Sequence, residues 1–564
     1  MNVVTETPKK KRETSPWAVL AITLSAVFMQ LLDTTITMVG VPSIQADLGA
    51  SYGQIQLVVA GYTLAFASVL VLGGRLGDTY GRRRMFLAGM LGFTLASALC
   101  GAAPDAITLI AARVLQGLTS GLMFPQVLGI LQVMFGPAQR AKALAMYGAT
   151  VGLATVLGPV TGGALIDADL FGSGWRSIFY INLPVGILAL ALGLRMIPES
   201  RAAKASRLDV RGAVLLTAGL FLLVMPMVVG RDQGWPAWAW ICMAVSPLVL
   251  AVFVRAERRH SAPLVDLKLF RQKPFTLGLA ASLVFFTGIP SFFMILVILL
   301  QTGLGYSPVK AGTVTLGFAL AMAVGSARSA AVAQKLGTRI LVLGAALMLV
   351  GQAAVMAVLY GTGTSLSGWH LVVPMFVAGL GGGLFLAPLT HVVLAGIRSD
   401  DAGSASGVLA TAQQVGAALG VAVVGVVFFG LIGANAAGSS AAATPQLRAS
   451  LVAAGLPTEA QDRVVEGFET CFDDQAHAED PAETPESCKA VAAEVAASPA
   501  APEVKAKVAA AVQDVAVPHA RLDDFNRSMR GSLWWHLAVF ATALALVSRL
   551  PKVELAEGHG AGAA

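Results

Sequence analysis

The sequence predicts an all-α membrane protein with about fourteen transmembrane helices. The chain has 564 residues, of which 56% are hydrophobic and only 13% are charged, and its mean hydropathy is +0.73. A soluble protein of this size would need far more charge to cover its surface. Apolar runs long enough to cross a hydrocarbon core of about 30 Å recur along almost the whole chain. Aromatic-rich alternating strands are not evident, which argues against an outer-membrane barrel.

The order of the spans predicts two six-helix bundles separated by an inserted pair of helices. Pseudo-symmetric six-helix halves are typical of secondary transporters, whose substrate site lies between the halves near the membrane midplane. The cores of the predicted spans are residues 17–40, 54–73, 84–103, 106–133, 141–166, 177–197, 212–230, 237–254, 276–301, 310–333, 339–360, 369–394, 404–433 and 533–550. The chain accordingly divides into a cytoplasmic tail (1–16), a first bundle (17–197), an inserted pair with its flanking loops (198–275), the first five helices of a second bundle (276–433), a long loop (434–532), a last helix (533–550) and a second tail (551–564).

The distribution of basic residues predicts the orientation in the cell membrane. The loops on the N-terminal side, with the tail "KKKR", hold roughly 26 Lys and Arg, whereas the opposite short loops hold about three. An even number of spans then puts both termini in the cytoplasm. The net charge of +7 does not indicate a nucleic-acid partner, because the basic residues cluster beside helices. The first apolar run is too long for a cleaved signal peptide, so we expect an uncleaved signal-anchor.

The long loop, residues 434–532, differs in composition from the rest of the chain. It is rich in Ala, Glu and Pro, has about seven more acids than bases, and lies outside the cytoplasm by the predicted topology. It contains Cys471 and Cys488, two of the four cysteines. Two cysteines in an oxidising compartment suggest a disulfide, although two unpaired thiols are the alternative. We expect no packed core here, with short amphipathic helices as an option.

The most specific motif is "GGRLGDTYGRRRM", residues 73–85, which joins the second and third spans. Its glycines permit a tight turn. Asp78 and Arg82 are four residues apart, so they can form an ion pair if the loop is helical there. The stretch resembles the loop motif of the major facilitator superfamily, and we predict that it forms a cytoplasmic gate. The gate could pair with "RSDDAG", residues 398–403, across the two halves. The gating residues are Gly74, Asp78, Gly81, Arg82 and Arg83.

The resemblance extends over nearly the whole chain. "ARVLQGLTSG" (112–121) looks like the superfamily's fourth-helix motif, and "GLATVLGPVTGG" (152–163) is similar to the fifth-helix motif of its antiporters. The fifth-helix stretch departs from its motif at Ala154. "LLDTTITMVGVP" (31–42), "GWRSIFYINLPVG" (174–186) and "GSASGVLATAQQVGAALG" (403–420) look like signatures of the fourteen-helix drug–proton antiporters, and the first of them departs at Met38 and at Gly40-Val41. The residues assigned to the antiporter helix are Gly158, Pro159, Gly162 and Gly163.

The resemblance implies a major facilitator fold. It also implies that the protein is a multidrug efflux transporter and not an enzyme. It implies export of small, largely hydrophobic molecules such as drugs or antibiotics, driven by protons and achieved by alternating access. We expect a monomer in the lipid bilayer, with no cofactor, metal site or nucleotide-binding loop. The expected substrate cavity consists of Gln30, Thr34, Thr37, Gln116, Gln413 and Gln414. We also predict that the 434–532 loop is dispensable for basic transport.

Asp33 is predicted to be the main proton-coupling carboxylate. A carboxylate inside an apolar helix is costly and marks a functional site. It shares one side of the first helix with Gln30, Thr34 and Thr37, and we expect this polar stripe to face the central cavity. Arg113 could approach the carboxylate and favour proton release. The alternative is a structural acid, paired permanently with Arg113 or capped by the threonines.

Other readings remain open from the sequence. The chain could export one dedicated physiological substrate, such as an endogenous antibiotic, a lipid or a siderophore. It could also be a membrane sensor whose acidic loop binds a partner. Arg328 could face the cavity or snorkel toward the cytoplasm, and we favour snorkelling. His370 and His391 are interpreted as helix-end polar groups rather than proton carriers.

Overall fold

The computed structural model describes residues 15–201, 209–230, 233–259, 267–394, 397, 402–478, 484–497 and 501–551. Within these ranges the regular elements are all helical. The first bundle consists of α1 Pro16–Leu48, α2 Tyr52–Tyr80, α3 Arg82–Gly101, α4 Ala106–Met134, α5 Pro137–Asp167, α6 Ser177–Tyr180 and α7 Asn182–Met196. The inserted pair is α8 Val210–Val229 and α9 Ala237–Arg259. The remaining helices are α10 Lys273–Ile298, α11 Pro308–Leu336, α12 Arg339–Thr362, α13 Val372–Leu394, α14 Ala402–Ala453, α15 Thr458–His477, α16 Glu486–Ala497, α17 Pro502–Ala510 and α18 Val517–Ser548.

The lengths of these helices agree with the predicted membrane architecture. Thirteen helices in the described ranges are long and apolar enough to cross a membrane. Helix α5 is not among the thirteen, but its 31 residues would extend over about 46 Å. Counting α5 gives a number consistent with the fourteen predicted spans. Some neighbouring helices follow one another after only a few residues, as α1 and α2 do between Leu48 and Tyr52.

The long helices form two bundles with the inserted pair between them. The second bundle consists of α10–α14 and α18, which pack on one another as the first-bundle helices do. The bundles meet along α2 with α14 and along α5 with α11, and α8 of the inserted pair contacts both α2 and α14. Each bundle buries its own polar and apolar side chains, as expected for a protein whose outer surface faces lipid.

Glycines set the closest helix contacts in both bundles, with one repeated pattern. A Cβ atom on Gly117 or Gly121 of α4 would overlap the carbonyl oxygens of Tyr62 or Phe66 in α2. In the second bundle, the corresponding contact joins α13 to α11, and Gly379 and Gly383 lie against the carbonyls of Phe318 and Met322. Small residues at this spacing allow helix backbones to approach closely. The two bundles therefore share one packing frame.

The described residues between 434 and 532 form a helical cap over one end of the bundles. Helix α14 continues to Ala453 and α18 begins at Val517, so both helices extend past the predicted span ends at 433 and 533. Helices α15–α17 fold between these extensions around a small core that includes Leu447, Phe468 and Val508. A packed core was not expected here. The sulfur atoms of the two cap cysteines, Cys471 and Cys488, are joined in a disulfide.

Candidate functional site: a buried ion pair in the first bundle

Asp33 of α1 and Arg113 of α4 form a buried ion pair. The distance between Arg113 Nη1 and Asp33 Oδ2 is 2.5 Å, and each residue is only 1% exposed. The charges face each other because α1 and α4 pack side by side within the first bundle. Burial of an isolated charge is costly, whereas a paired and hydrogen-bonded charge can be retained. Asp33 therefore satisfies the charge of Arg113 inside the bundle.

Amide and hydroxyl groups complete the coordination of the Asp33 carboxylate. Gln116 Nε2 donates to Asp33 Oδ1 at 2.9 Å, and Asn182 Nδ2 donates to the same oxygen at 3.1 Å. Asn182 Nδ2 also lies 2.9 Å from Ser97 Oγ, which in turn donates to the carbonyl of Phe179. Four helices, α1, α3, α4 and α7, thus contribute to one polar network. Both carboxylate oxygens of Asp33 therefore accept hydrogen bonds from side chains of the bundle.

The guanidinium of Arg113 has further partners besides Asp33. Its Nη1 donates to Gln116 Oε1 at 2.6 Å, and its Nε donates to the carbonyl of Val58 at 3.2 Å. The guanidinium also lies 4.2 Å from the centre of the Tyr62 ring, an arrangement that is favourable for a cation. Arg113 therefore has contacts with neutral groups in addition to its ion pair with Asp33.

The remaining predicted cavity residues divide between the two bundles. Gln30 and Thr37 are buried, Thr34 is half-buried, and the two threonine hydroxyls donate to the α1 carbonyls of Gln30 and Asp33. Gln413 and Gln414 are half-buried on α14 of the second bundle. The structure brings together Asp33, Arg113 and Gln116, while the role of the others as cavity residues stays a prediction.

Sequence reasoning missed several residues of the network, including Asn182, Ser97 and Tyr62. Asn182 lies within "YINLP", part of a motif that the sequence analysis quoted for its family resemblance only. The sequence feature that could have identified Asn182 is its polar amide side chain within an apolar run. Another missed residue is His536 of α18, which is fully buried and lies 3.2 Å from Ser291 Oγ.

The predicted gating loop is a compact ionic turn within the first bundle. Arg82 Nη2 lies 2.8 Å from Asp78 Oδ1, and Arg82 Nη1 donates to the carbonyl of Gly129 at 3.0 Å. Glu199, which the sequence analysis did not single out, accepts from the amide of Arg83 at 3.2 Å. Gly81 has φ of 117°, a conformation that favours glycine. Gly74 is on α2, next to Pro125 of α4.

The predicted antiporter helix lies at the junction of α1, α5 and α11. A Cβ atom on Gly158 would overlap Thr35 of α1, and one on Gly162 would lie 2.6 Å from Ile36. On the other side, a Cβ on Gly163 would lie 2.6 Å from Val309 of α11. Pro159 is inside α5, and its carbonyl oxygen faces Gly312 of α11. A change in this helix would therefore act on both bundles.

The two bundles contact each other at the end that carries the cap. Gln301 Nε2 donates to the carbonyl of Val39 at 2.8 Å, which joins the helical turn that follows α10, Leu299–Gly303, to α1. The rings of Tyr52 and Phe429 stack with centres 4.0 Å apart, joining α2 to α14. These contacts lie beyond Asp33 along α1, on the cap side.

The structure also shows where the other polar residues singled out from the sequence lie. Arg328 is exposed on α11, and His391 is exposed on α13. His370 Nδ1 accepts from the amide of Ser367 at 3.2 Å, just before α13. The predicted partner of the gate, "RSDDAG" (398–403), has its charged residues within 398–401, which lie outside the described residues. In the part of the chain that is described, no group of three or more His, Cys, Asp or Glu residues could hold a metal ion.

The long apolar helices, packed in two bundles around buried polar groups, define a multi-span membrane protein. Residues 23–421 match the model of the Major Facilitator Superfamily, and the chain belongs to this superfamily. It is 42% identical to the "Probable actinorhodin transporter" of Streptomyces coelicolor over 95% of this chain and 92% of that protein. It is 35% identical to the "Tetracenomycin C resistance and export protein" of Streptomyces glaucescens over 76% of this chain and 79% of that protein.

A solved structure supports the fold independently. A bacterial homologue of the human lysosomal transporter Spinster, in an inward-facing and unoccupied conformation, aligns with a TM-score of 0.59 at 17% identity, covering 96% of this chain and 98% of that one. At this identity the likeness concerns the fold alone. The chain is therefore a cell-membrane transporter of small molecules whose relatives include antibiotic exporters.

Proposed function

We propose that this protein exports small, largely hydrophobic molecules from the cytoplasm in exchange for protons, by alternating access between its two bundles. The observation that carries the proposal is the buried Asp33–Arg113 pair with its amide network. A buried carboxylate whose partner cation has alternative neutral contacts can accept and release a proton as its surroundings change. The protein would act as a monomer with both termini in the cytoplasm.

The contacts between the bundles support a description of the conformational cycle. With the predicted orientation, the cap lies outside the cytoplasm, and the Gln301–Val39 and Tyr52–Phe429 contacts close the outer side. In this state Asp33 is shielded from solvent. Separation of α5 from α11 and of α2 from α14 would open the outer side and give protons access to Asp33. Rocking of one bundle against the other is the usual mechanism of such transporters.

Proton movement is energetically sufficient for this task. One proton contributes about 2.3 kcal/mol per 100 mV of membrane potential. It contributes about 1.4 kcal/mol more per unit of pH difference. Together these can sustain a gradient of roughly a hundredfold or more for an uncharged substrate. No other energy source is required for the proposed export.

A dedicated antibiotic exporter is the second candidate. It is favoured by the relative that matches nearly end to end, whose name refers to a single compound, actinorhodin. The two candidates share the same coupling mechanism and differ in substrate breadth. A panel of aromatic antibiotics and unrelated apolar drugs, tested in the same transport assay, separates them.

The decisive experiment measures uptake into inside-out vesicles with an imposed pH gradient. Asp33→Asn mimics the protonated acid, so we expect gradient-driven accumulation to vanish while downhill counterflow survives. Asp33→Glu keeps an ionisable group and should retain part of the coupling. The matched control is Asp105→Asn, because Asp105 caps α4 through the amide of Thr108 and Asn caps helices equally well.

Two results would overturn the proposal. Substrate accumulation by the wild-type protein that ignores the pH gradient would exclude proton coupling. Full gradient-driven accumulation by Asp33→Asn would show that the proton travels elsewhere, and the pair would then be structural. Equal amounts of each variant in the membrane, measured by immunoblot, are needed for either conclusion.

A further inference from the structure

A cavity of about 850 Å³ lies between the cap and the ends of the bundles beneath it. We propose that this cap cavity is a second binding site, which holds a flat apolar cation after it leaves the bundles. The inference rests on the proposed function only in taking the exported molecule as the occupant. The volume lies within the range of about 300–1,000 Å³ that is usual for small-molecule sites.

The floor of the cap cavity is formed by the helix ends that close the bundles. Pro42 and Gln45 of α1, Tyr52 of α2 and Ile432 of α14 line it. Tyr52 is the same residue whose ring stacks on Phe429 across the two bundles. A molecule released between the bundles at this end would therefore enter the cap cavity directly. Its position on the exit route is the first argument for the occupant.

The walls of the cap cavity are mainly apolar and aromatic. Phe468 and Phe472 of α15 and Phe525 of α18 contribute rings, and Val512 adds an aliphatic surface. Aromatic rings provide large apolar contact areas and favour stacking with other flat ring systems. The disulfide between Cys471 and Cys488 is part of the wall and ties α15 to α16. The chemistry of the wall therefore favours a flat apolar molecule.

A buried carboxylate gives the cap cavity its preference for a cation. Asp524 lines the cavity and is only 2% exposed. Within the described chain its hydrogen-bond donor is the hydroxyl of Ser528, at 3.4 Å. The nearby Arg527 forms its ion pair with Asp523, at 2.7 Å. The other charged lining residue, Arg521, is exposed. A buried carboxylate gains most from a charged or hydrogen-bond-donating partner, which the occupant would supply.

The test is photolabelling of the purified full-length protein in detergent with an azide derivative of ethidium, a flat aromatic cation. Labelled peptides are identified by mass mapping. We expect labels within residues 468–476 and 508–525. Ala476→Trp fills the cavity and should remove this labelling, whereas Ala493→Trp, on an exposed cap residue that does not line the cavity, should leave it unchanged. Detection of the Cys471–Cys488 disulfide in each variant checks that the cap is folded.

The role of the carboxylate is tested separately. Asp524→Asn should lower labelling of the cap about tenfold, the effect of losing one charge-assisted contact. The matched control, Asp474→Asn, makes the same chemical change at an exposed cap position. Competition by phenanthridine, the uncharged parent ring, should be the same in the wild type and Asp524→Asn, because that ring does not use the charge.

Outcomes that would overturn the inference are distinct from those that would overturn the proposed function. Labels confined to the membrane helices, or cap labelling that survives Ala476→Trp, would exclude the cap site. Cap labelling that is unchanged in Asp524→Asn would exclude the cation preference. The photolabelling needs no pH gradient, so a failure of proton-driven export in vesicles would leave its result intact.

Discussion

The two bundles share a packing frame but differ in chemistry. The α2–α4 contact of the first bundle and the α11–α13 contact of the second both place two glycines, four residues apart, against carbonyl oxygens. Arg113 precedes the first of these glycines, Gly117, by four residues, and the residue in the same place before Gly379 is Met375. Gln116 corresponds in the same way to Ala378. The repeated frame therefore positions an ionic network in one bundle and an apolar core in the other.

The same correspondence holds at the turn between α2 and α3. Gln334 follows Phe318 at the spacing by which Asp78 follows Tyr62, and Gly337 corresponds to Gly81. Both glycines have positive φ, 117° at Gly81 and 56° at Gly337. A glycine with positive φ is thus present at both turns, but the carboxylate is present only in the first. The glycine and the carboxylate are separate requirements, and only the carboxylate accompanies the proposed gating function.

The largest expected effect comes from replacing Arg113 of the first bundle by methionine, the residue that the second bundle has at the corresponding position, Met375. Arg113→Met leaves Asp33 buried without its cation, and we expect a loss of about 3–5 kcal/mol in the free energy of unfolding. Thermal unfolding of the purified protein in detergent measures this as a lower melting temperature. Replacing both members, in Asp33→Asn with Arg113→Met, removes the stranded charge and should recover most of the stability.

A conservative substitution at the corresponding position of the second bundle provides the control for this prediction. Met375→Leu changes the corresponding residue of the second bundle while conserving its apolar character and volume, so it should cost less than about 1.5 kcal/mol. A double variant as unstable as Arg113→Met alone would contradict the ion-pair explanation. The loss would then come from the volume of the arginine side chain.

The second prediction tests the shared frame itself. Gly117→Ala and Gly379→Ala each place a methyl group against a backbone carbonyl, so each should destabilise the protein by about 1–3 kcal/mol. Similar melting temperatures for the two variants are expected, because the packing is the same. Gly430→Ala is the matched control, since a Cβ there meets nothing within 4 Å. Helix propensity alone should then make that variant about 0.5–1 kcal/mol more stable.

A large difference between the two glycine variants would break the comparison. If only Gly117→Ala were destabilised, the closeness of α2 and α4 would serve the ionic network rather than a frame common to both bundles. Melting curves for all three variants in the same detergent are sufficient to distinguish these cases.

The sequence predicted the shared fold and the paired charges, because both leave strong local signals. Hydropathy located the spans, and the motif around Asp78 and Arg82 predicted an i, i+4 pair that the structure contains. Asn182 was not predicted, since a single amide barely lowers the hydropathy of its span. Only the packing of α7 brings it to Asp33. Glu199 was missed for a similar reason, because its partner Arg83 is more than a hundred residues away along the chain.

The cap could not be predicted well, because composition suggested a loop. The segment is rich in alanine, which buries little surface but is the best helix former. This propensity accounts for the continuation of α14 to Ala453, beyond the predicted end of the span. Its core depends on a few widely spaced residues, such as Leu447 and Phe468, whose contact requires the chain to fold back. Local periodicity does not reveal that contact.

The third prediction concerns Asp78, a carboxylate at the turn of the first bundle where the second bundle has Gln334. Asp78→Ala removes the partner of Arg82, a partly exposed pair worth up to about 1 kcal/mol. We expect turnover in vesicles to slow by up to about fivefold, with little change in substrate binding. Gln334→Ala, the corresponding change in the second bundle, should have a smaller effect because it removes no charge. Unchanged turnover in Asp78→Ala, at equal protein levels, would count against a gating role.

The smallest effect on export is expected from the element that the second bundle has and the first lacks. The cap is inserted between α14 and α18, whereas α5 and α7 of the first bundle are joined by a short connection. Cys471→Ser with Cys488→Ser opens a disulfide that closes a short loop, a constraint worth about 3 kcal/mol. This cost falls on the cap, because the Asp33 network and the contacts between α2 and α4 do not include it. Limited proteolysis should therefore cleave the cap faster in the double variant. Gradient-driven export in vesicles should stay close to the wild-type rate, and its loss in a variant that still reaches the membrane would make the cap part of the transport cycle.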